Sequence, residues 1–280
     1  MKKIPDYFHI GVMKTGTTFL QNVLLNDNRV QAFVHTRLIN TNKYFTNDYA
    51  EWDYNKISIE SDENIIDQRN SMHGLDLSLQ RIKLNNPNAK IIITIREQKS
   101  LFISAYKHLI RQTEFSGSFV DFLNSEFGIA YIISSNYYQI SNIIRQYFPK
   151  DQIFFIPFEL IKSFNFIEVF YSKALKLQPP LYNKTQKINS GESDMFILEK
   201  NKINASLLFK SNNIFGKIER KIAVRKFIKA KKRFLNDTTK IIKWDDSNPL
   251  MSELENNFKE SNRKLEKEFD IGLKTFNYLM

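Results

Sequence analysis

Cysteine is absent from the 280 residues, which excludes a disulfide framework, a thiolate metal site and cysteine nucleophilic catalysis together. Glycine and proline are scarce, eight and seven residues, so the chain is not collagen-like, and no Pro/Gly-rich break or repeat divides it. No uninterrupted apolar run reaches the ~20 residues that a membrane-spanning helix needs. The amino-terminal MKKIPDYFHIGV has two lysines, but polar residues and Pro5 interrupt it before any signal-peptide apolar core can form. A cytoplasmic protein of one domain, 1–280, is the resulting expectation, with 42% hydrophobic residues to fill its core.

Charge is what the chain has in excess: 41 Lys+Arg against 30 Asp+Glu, a formal +11 that favours anionic partners. The excess is local. KIERKIAVRKFIKAKKR (217–233) holds nine basic residues and one acidic, Glu219, and the rest of the chain carries only +3. Ile218, Ile222, Phe227, Ile228, Phe234 and Leu235 place an imperfect apolar stripe among those cations. A helix of that pattern can lie on an anionic membrane, at its inner face for a cytoplasmic protein, or meet phosphate backbones without specificity. A lysine-rich helix is more often a solvated face packed on its own domain.

Short runs rich in β-branched and aromatic residues alternate with longer helix-like stretches. YFHIGV (7–12), KISIE (56–60), KIIITI (90–95) and QIFFIP (152–157) read as strands. IIITI is apolar except for Thr94, the signature of a strand covered on both faces. Helices are predicted over 17–26, 99–112, 136–147 and 252–269, a covering loop over 37–52, and weakly bounded lysine- and asparagine-rich helix over 181–246. The interleaving implies βαβ units and an α/β fold with a mostly parallel sheet.

The densest chemical signal is IGVMKTGTTFLQNVL (10–24). A strand ends in a turn containing Gly11 and Gly16, and a helix follows, so backbone N–H groups and the positive helix end face one anion. Gly11 through Gly16 to Thr18 nearly completes the nucleotide-triphosphate loop G-x-x-x-x-G-K-[ST], yet Thr17 stands at the lysine position and the only lysine is Lys14. The strand KIIITI ends on Arg96, where a Mg²⁺-holding Asp would be required. A kinase or triphosphatase is therefore disfavoured.

KTGTT after a strand resembles the 5′-phosphosulfate-binding loop of sulfotransferases that use 3′-phosphoadenosine 5′-phosphosulfate (PAPS). The resemblance implies a three-layer α/β/α sulfotransferase fold akin to P-loop NTPases, with Lys14, Thr15, Gly16, Thr17 and Thr18 on the 5′-phosphosulfate. IREQKSLFISAYKHLIRQ (95–112) is similar to the family's 3′-phosphate signature, which implies that Arg96 and Ser104 bind that phosphate. A guanidinium grips a dianion in bidentate fashion and a hydroxyl adds a donor. SFVDFL (118–123), QIFFIPFELI (152–161), NSGESDMFILEKNKIN (189–204) and KESNRKLEKEF (259–269) follow in recognisable order, and Asn189 and Ser190 would supply a loop closing on the cofactor. PAPS is then the sulfate donor, 3′,5′-bisphosphoadenosine (PAP) the product, and no metal is demanded.

Sulfonate transfer is an in-line displacement whose leaving phosphate gains negative charge, so a lysine beside the bridging oxygen lowers the barrier; Lys14 fits that role. A hydroxyl acceptor also needs a base. His35, Glu60, Glu63, His73 and His108 are candidates; similarity of SDEN to a Ser-Ser-Glu-Asn of bacterial members favours Glu63, then Glu60, with His35 the histidine alternative. Family analogy points to a carbohydrate or glycolipid acceptor, and Tyr44, Phe45, Tyr49, Trp52 and Tyr54 could stack on a sugar. The competing readings are a P-loop small-molecule kinase and a non-enzymatic protein that binds a membrane or nucleic acid through 217–233. Nucleic acid is not expected as a partner of the sulfotransferase.

Overall fold

A computed structural model describes residues 4–34, 52–63, 71–163, 165–182, 192–207 and 214–280. Five strands, β1 (Tyr7–Gly11), β2 (Val30–Val34), β3 (Ile57–Ser61), β4 (Lys90–Ile95) and β5 (Ile153–Pro157), form one sheet in the order β2-β3-β1-β4-β5. Every pairing is parallel. The chain lays β2 and β3 on one side of β1, then crosses to add β4 and β5 on the other. Open α/β sheets bind ligands beyond the carboxyl ends of strands where the winding reverses, which here is the end of β1.

The α-helices among the described residues are α1 (Thr17–Leu25), α2 (Ser71–Asn85), α3 (Gln98–Gln112), α4 (Phe119–Leu123), α5 (Glu126–Ser134), α6 (Tyr137–Arg145), α7 (Phe166–Val169), α8 (Asp194–Ala205), α9 (Ile214–Arg233) and α10 (Pro249–Phe269). Side-chain alternation divides the core. Phe8, Ile10, Ile91, Ile93, Ile95 and Phe155 face a layer built from α2, α3, α6 and α10. Tyr7, Ile59, Ile92 and Ile156 face α1 and the turn of chain that follows α7. The result is a three-layer α/β/α sandwich, and its two covered faces explain why KIIITI lacks alternation. Each fully buried isoleucine of β4 contributes about 2 kcal/mol.

Local chemistry sets the element ends. Asn136 caps α6 by accepting from Gln139 N, and Asn248 caps α10 by accepting from Leu250 N and Met251 N, with Pro249 in the first turn. That cap starts α10 three residues before the sequence-based boundary. Among the elements that were not expected are the edge strand β2, whose five residues VQAFV are too short to show a period, and α2, whose buried Leu75, Leu79 and Ile82 follow helical spacing through a polar segment. The 181–246 stretch contains α8 and α9. The loop expected at 37–52 lies outside the described residues except for Trp52, which packs on Phe33 with ring centroids 4.9 Å apart. Among the described residues no helix is long and apolar enough to cross a membrane.

Candidate active site

The turn after β1 reverses the chain through two left-handed residues, Lys14 (φ 73°) and Gly16 (φ 84°). Gly16 is required twice over, because a Cβ there would also lie 2.9 Å from the Phe158 ring. Its carbonyl accepts from Phe19 N and Leu20 N, opening α1. Thr17 and Thr18 thus occupy the first turn of α1, whose N–H groups have no acceptor within the helix and carry its positive dipole end.

Behind the turn lies a buried polar hub. Thr15 donates its hydroxyl proton to Val12 O at 2.7 Å, so the 2.7 Å contact between Thr15 and Thr94 takes its proton from Thr94. His9 Nε2 must then donate to Thr94 Oγ1 at 3.1 Å, and His9 Nδ1 accepts from Ser61 Oγ at 2.8 Å. Gln21 Nε2 of α1 donates to the same Ser61 hydroxyl at 3.2 Å. Burial pushes His9 down to about 3, keeping it neutral. The hub joins the carboxyl ends of β1, β3 and β4 to the loop. It also explains Gly11, since a Cβ there would sit 2.4 Å from the Thr94 hydroxyl.

Above the turn opens a cleft of about 400 Å³. Lys14 Nζ lies 3.5 Å from His108 Nδ1, and Arg111 Nη2 lies 3.4 Å from the same nitrogen. Two cations pointing at one nitrogen make it an acceptor, and burial together with Lys14 and Arg111 pushes His108 down to about 4. Lys14 is itself held below the usual lysine range, first by burial and then by Arg111 and Arg96, with Glu63 and Glu192 acting against them. Arg96 donates Nη1–H to Lys14 O at 2.9 Å and Nε–H to Ser100 Oγ at 3.1 Å, and its guanidinium lies 4.5 Å from the Phe158 ring centroid. Tyr137 steadies the same corner, donating to Arg96 O at 2.7 Å and accepting from Arg96 N at 3.2 Å. Thr17 donates to Glu63. Burial, reinforced by Asp62 and opposed by Lys14, pushes Glu63 up to about 7.

Lys14, Gly16, Thr17, Thr18, Glu63, Arg96 and Ser104 therefore line one cleft, joined by Lys107, His108, Arg111 and Glu192. Thr15 is buried with its hydroxyl turned into the hub. Glu60 is buried in β3, in register with Phe8 and Phe33, and does not line the cleft. His73 lies in α2, while His35, Asn189 and Ser190 fall outside the described residues. Phe158 and His9 were not singled out in the sequence; a phenylalanine just past a strand end and a lone histidine in an apolar strand are the signals they left. Lys107 is paired with buried Asp194, and Arg111 faces Glu192 at 3.8 Å. Among the described residues no group of three or more His, Asp or Glu could hold a metal ion.

The family model described as a sulfotransferase domain matches residues 5–164, a span that contains both anion motifs. The crystal structure of a sulfotransferase from Alicyclobacillus acidocaldarius is similar in fold, with a TM-score of 0.50 and 14% identity over 84% of this chain and 97% of that one. No curated protein matches the chain. Taken with the parallel sheet and the lysine-bearing turn at the end of β1, the match over more than half of its length establishes that this chain belongs to the sulfotransferase-domain family.

Proposed function

We propose that the cleft transfers a sulfonate group from PAPS to a hydroxyl or amine acceptor, a carbohydrate by analogy with family members. The observation that carries this reading is the convergence of Lys14, Arg96 and Arg111 on one cleft at the start of α1, close enough that Arg111 and Arg96 depress Lys14. A polyanion entering there relieves that repulsion, so the residues fit a donor carrying a phosphosulfate and a second phosphate. Thr17 and Thr18 offer backbone N–H groups to the 5′ end; Arg96 and Ser104 would hold the 3′-phosphate.

In the transfer, the S–O bond to the bridging oxygen breaks and a new bond forms from sulfur to the acceptor, S–O for a hydroxyl and S–N for an amine. Lys14 neutralises charge growing on the departing phosphate, and Glu63, ionised above pH about 7, takes the acceptor's proton. Of the described aromatics in the 44–54 stretch, Trp52 packs on Phe33, whereas Tyr54 is exposed, and we assign it to stacking on a sugar ring.

Calorimetric titration with PAP, ATP–Mg²⁺ and a DNA duplex tests the donor: the bisphosphate should bind, and ATP–Mg²⁺ binding with no response to PAP would overturn the reading in favour of a kinase. Lys14→Ala should lower the transfer rate by about 10²–10³-fold, the usual loss when one preorganised oxyanion donor is removed. Arg96→Ala should mainly weaken PAP binding.

A further inference from the structure

Among the described residues, helix α9 is covered on one side only. Buried Ala223 and Ala230 and half-buried Phe227 face the body of the protein, Phe227 standing edge-on to Phe196 of α8 at 5.3 Å. On the rest of its surface Ile218, Ile222, Val224 and Ile228 are 45–57% exposed. At 100° per residue, the exposed cations Lys221, Arg225 and Lys229 form a stripe with Ile222 along one margin, Val224 and Ile228 along the other, and Ile218 within it one turn before Lys221 and Ile222. These four aliphatic side chains are exposed and stand directly beside the cations of the same outer surface.

We propose that this outer face of α9 docks on the surface of an anionic lipid bilayer, its lysines and arginines meeting headgroup phosphates and its flanking aliphatics entering the headgroup–acyl boundary. Charge complementarity alone would also suit a nucleic acid, but phosphate backbones would neutralise the stripe and leave the aliphatic margins in water. A bilayer interface accommodates both. The face is also continuous with the catalytic region: Lys231 lies 3.9 Å from Glu192, whose other oxygen faces Arg111 in the cleft. Docking through α9 holds the cleft beside the lipid surface, whatever acceptor it uses.

The test is sedimentation of the full chain with vesicles of phosphatidylcholine alone, or of phosphatidylcholine mixed with phosphatidylglycerol, beside a DNA duplex titration. Binding to the mixed vesicles is expected, falling as salt rises, with little on the neutral ones. Lys221→Gln combined with Arg225→Gln should weaken partitioning by about 25-fold, two charges at about fivefold each. Ile222→Ser combined with Ile228→Ser should weaken it while leaving the salt dependence unchanged, and circular dichroism will confirm that both variants stay folded. No binding to mixed vesicles, equal binding to neutral ones, or duplex binding with the serine variant indistinguishable from the parent on vesicles would each overturn the proposal.

Discussion

In the proposed reaction, Glu63 ties rate and stability together in one carboxyl. Its pKa in the folded protein, about 7, lies above the ordinary 4.5, so between those values the folded chain keeps a proton that the unfolded chain has released. Stability contributed at this position is therefore full below pH 4.5 and falls as pH rises towards 7. Glu63→Gln removes the ionisation from both states. The variant is expected to be more stable than the parent at pH 7, by about 2–3 kcal/mol, with the difference vanishing near pH 4.5, as read by urea melts at the two values. The same variant should lose the limb of the pH–rate profile that rises through about 7. A rate profile identical to the parent's would remove Glu63 from the proton-transfer role.

At the scale of elements, the hub behind the loop sets how firmly the proposed anion site is held. Gly11→Ala would place a methyl 2.4 Å from Thr94 Oγ1, so Thr94 must rotate and give up its bonds to Thr15 and His9. A destabilisation of about 2–3 kcal/mol is expected in chemical denaturation, with weaker PAP binding by calorimetry. The hub also makes the fold acid-sensitive. His9 stays neutral when folded down to about 3, whereas the unfolded histidine protonates below 6.5. Stability from this group is thus lost progressively as pH falls from 6.5 towards 3, reaching about 3 kcal/mol at pH 4.5, and Glu63→Gln, which lacks the opposing carboxyl, is the background in which to measure it.

These elements also show what a sequence reader can and cannot see. β4 was legible because its isoleucines form a run, and Thr94 stood out within that run as the one polar residue. Its purpose was not legible, since its partners His9 and Thr15 lie 85 and 79 positions away and only the register of β1 on β4 brings them together. The loop and Arg96 could be found because their chemistry is local: glycines, a lysine and threonines at a strand end. Phe158, which presses on both Gly16 and Arg96, could not, because a phenylalanine carries no chemical signature until the fold places it.

Across the whole molecule, the end of the chain props up a site built near its beginning. Tyr278 donates to Glu159 at 2.9 Å, and the other oxygen of Glu159 accepts from Glu97 N at 2.9 Å, beside Arg96. Asn262 of α10 bonds Gln98 in the same corner at 3.1 Å. Tyr278→Phe leaves a buried carboxylate oxygen without its donor, and should cost about 1–3 kcal/mol of stability. Because Arg96 shares that corner, PAP affinity should fall while the maximal rate stays near the parent's. A change confined to the maximal rate would argue against this coupling. The basic excess, by contrast, lies mostly on α9, so the +11 of the chain reports a surface and not the cleft.

A search for heat-resistant variants of this chain would be drawn away from its chemistry. Lys14 sits at φ 73°, a conformation that costs a non-glycine residue about 1 kcal/mol, and its ammonium is half-buried among other cations. Glycine relieves both burdens. Lys14→Gly is expected to melt no lower than the parent while losing transfer activity, so a library ranked by melting temperature alone would enrich inactive clones at this position. On the proposed role, the chemistry keeps a lysine where the backbone's own preference is for glycine.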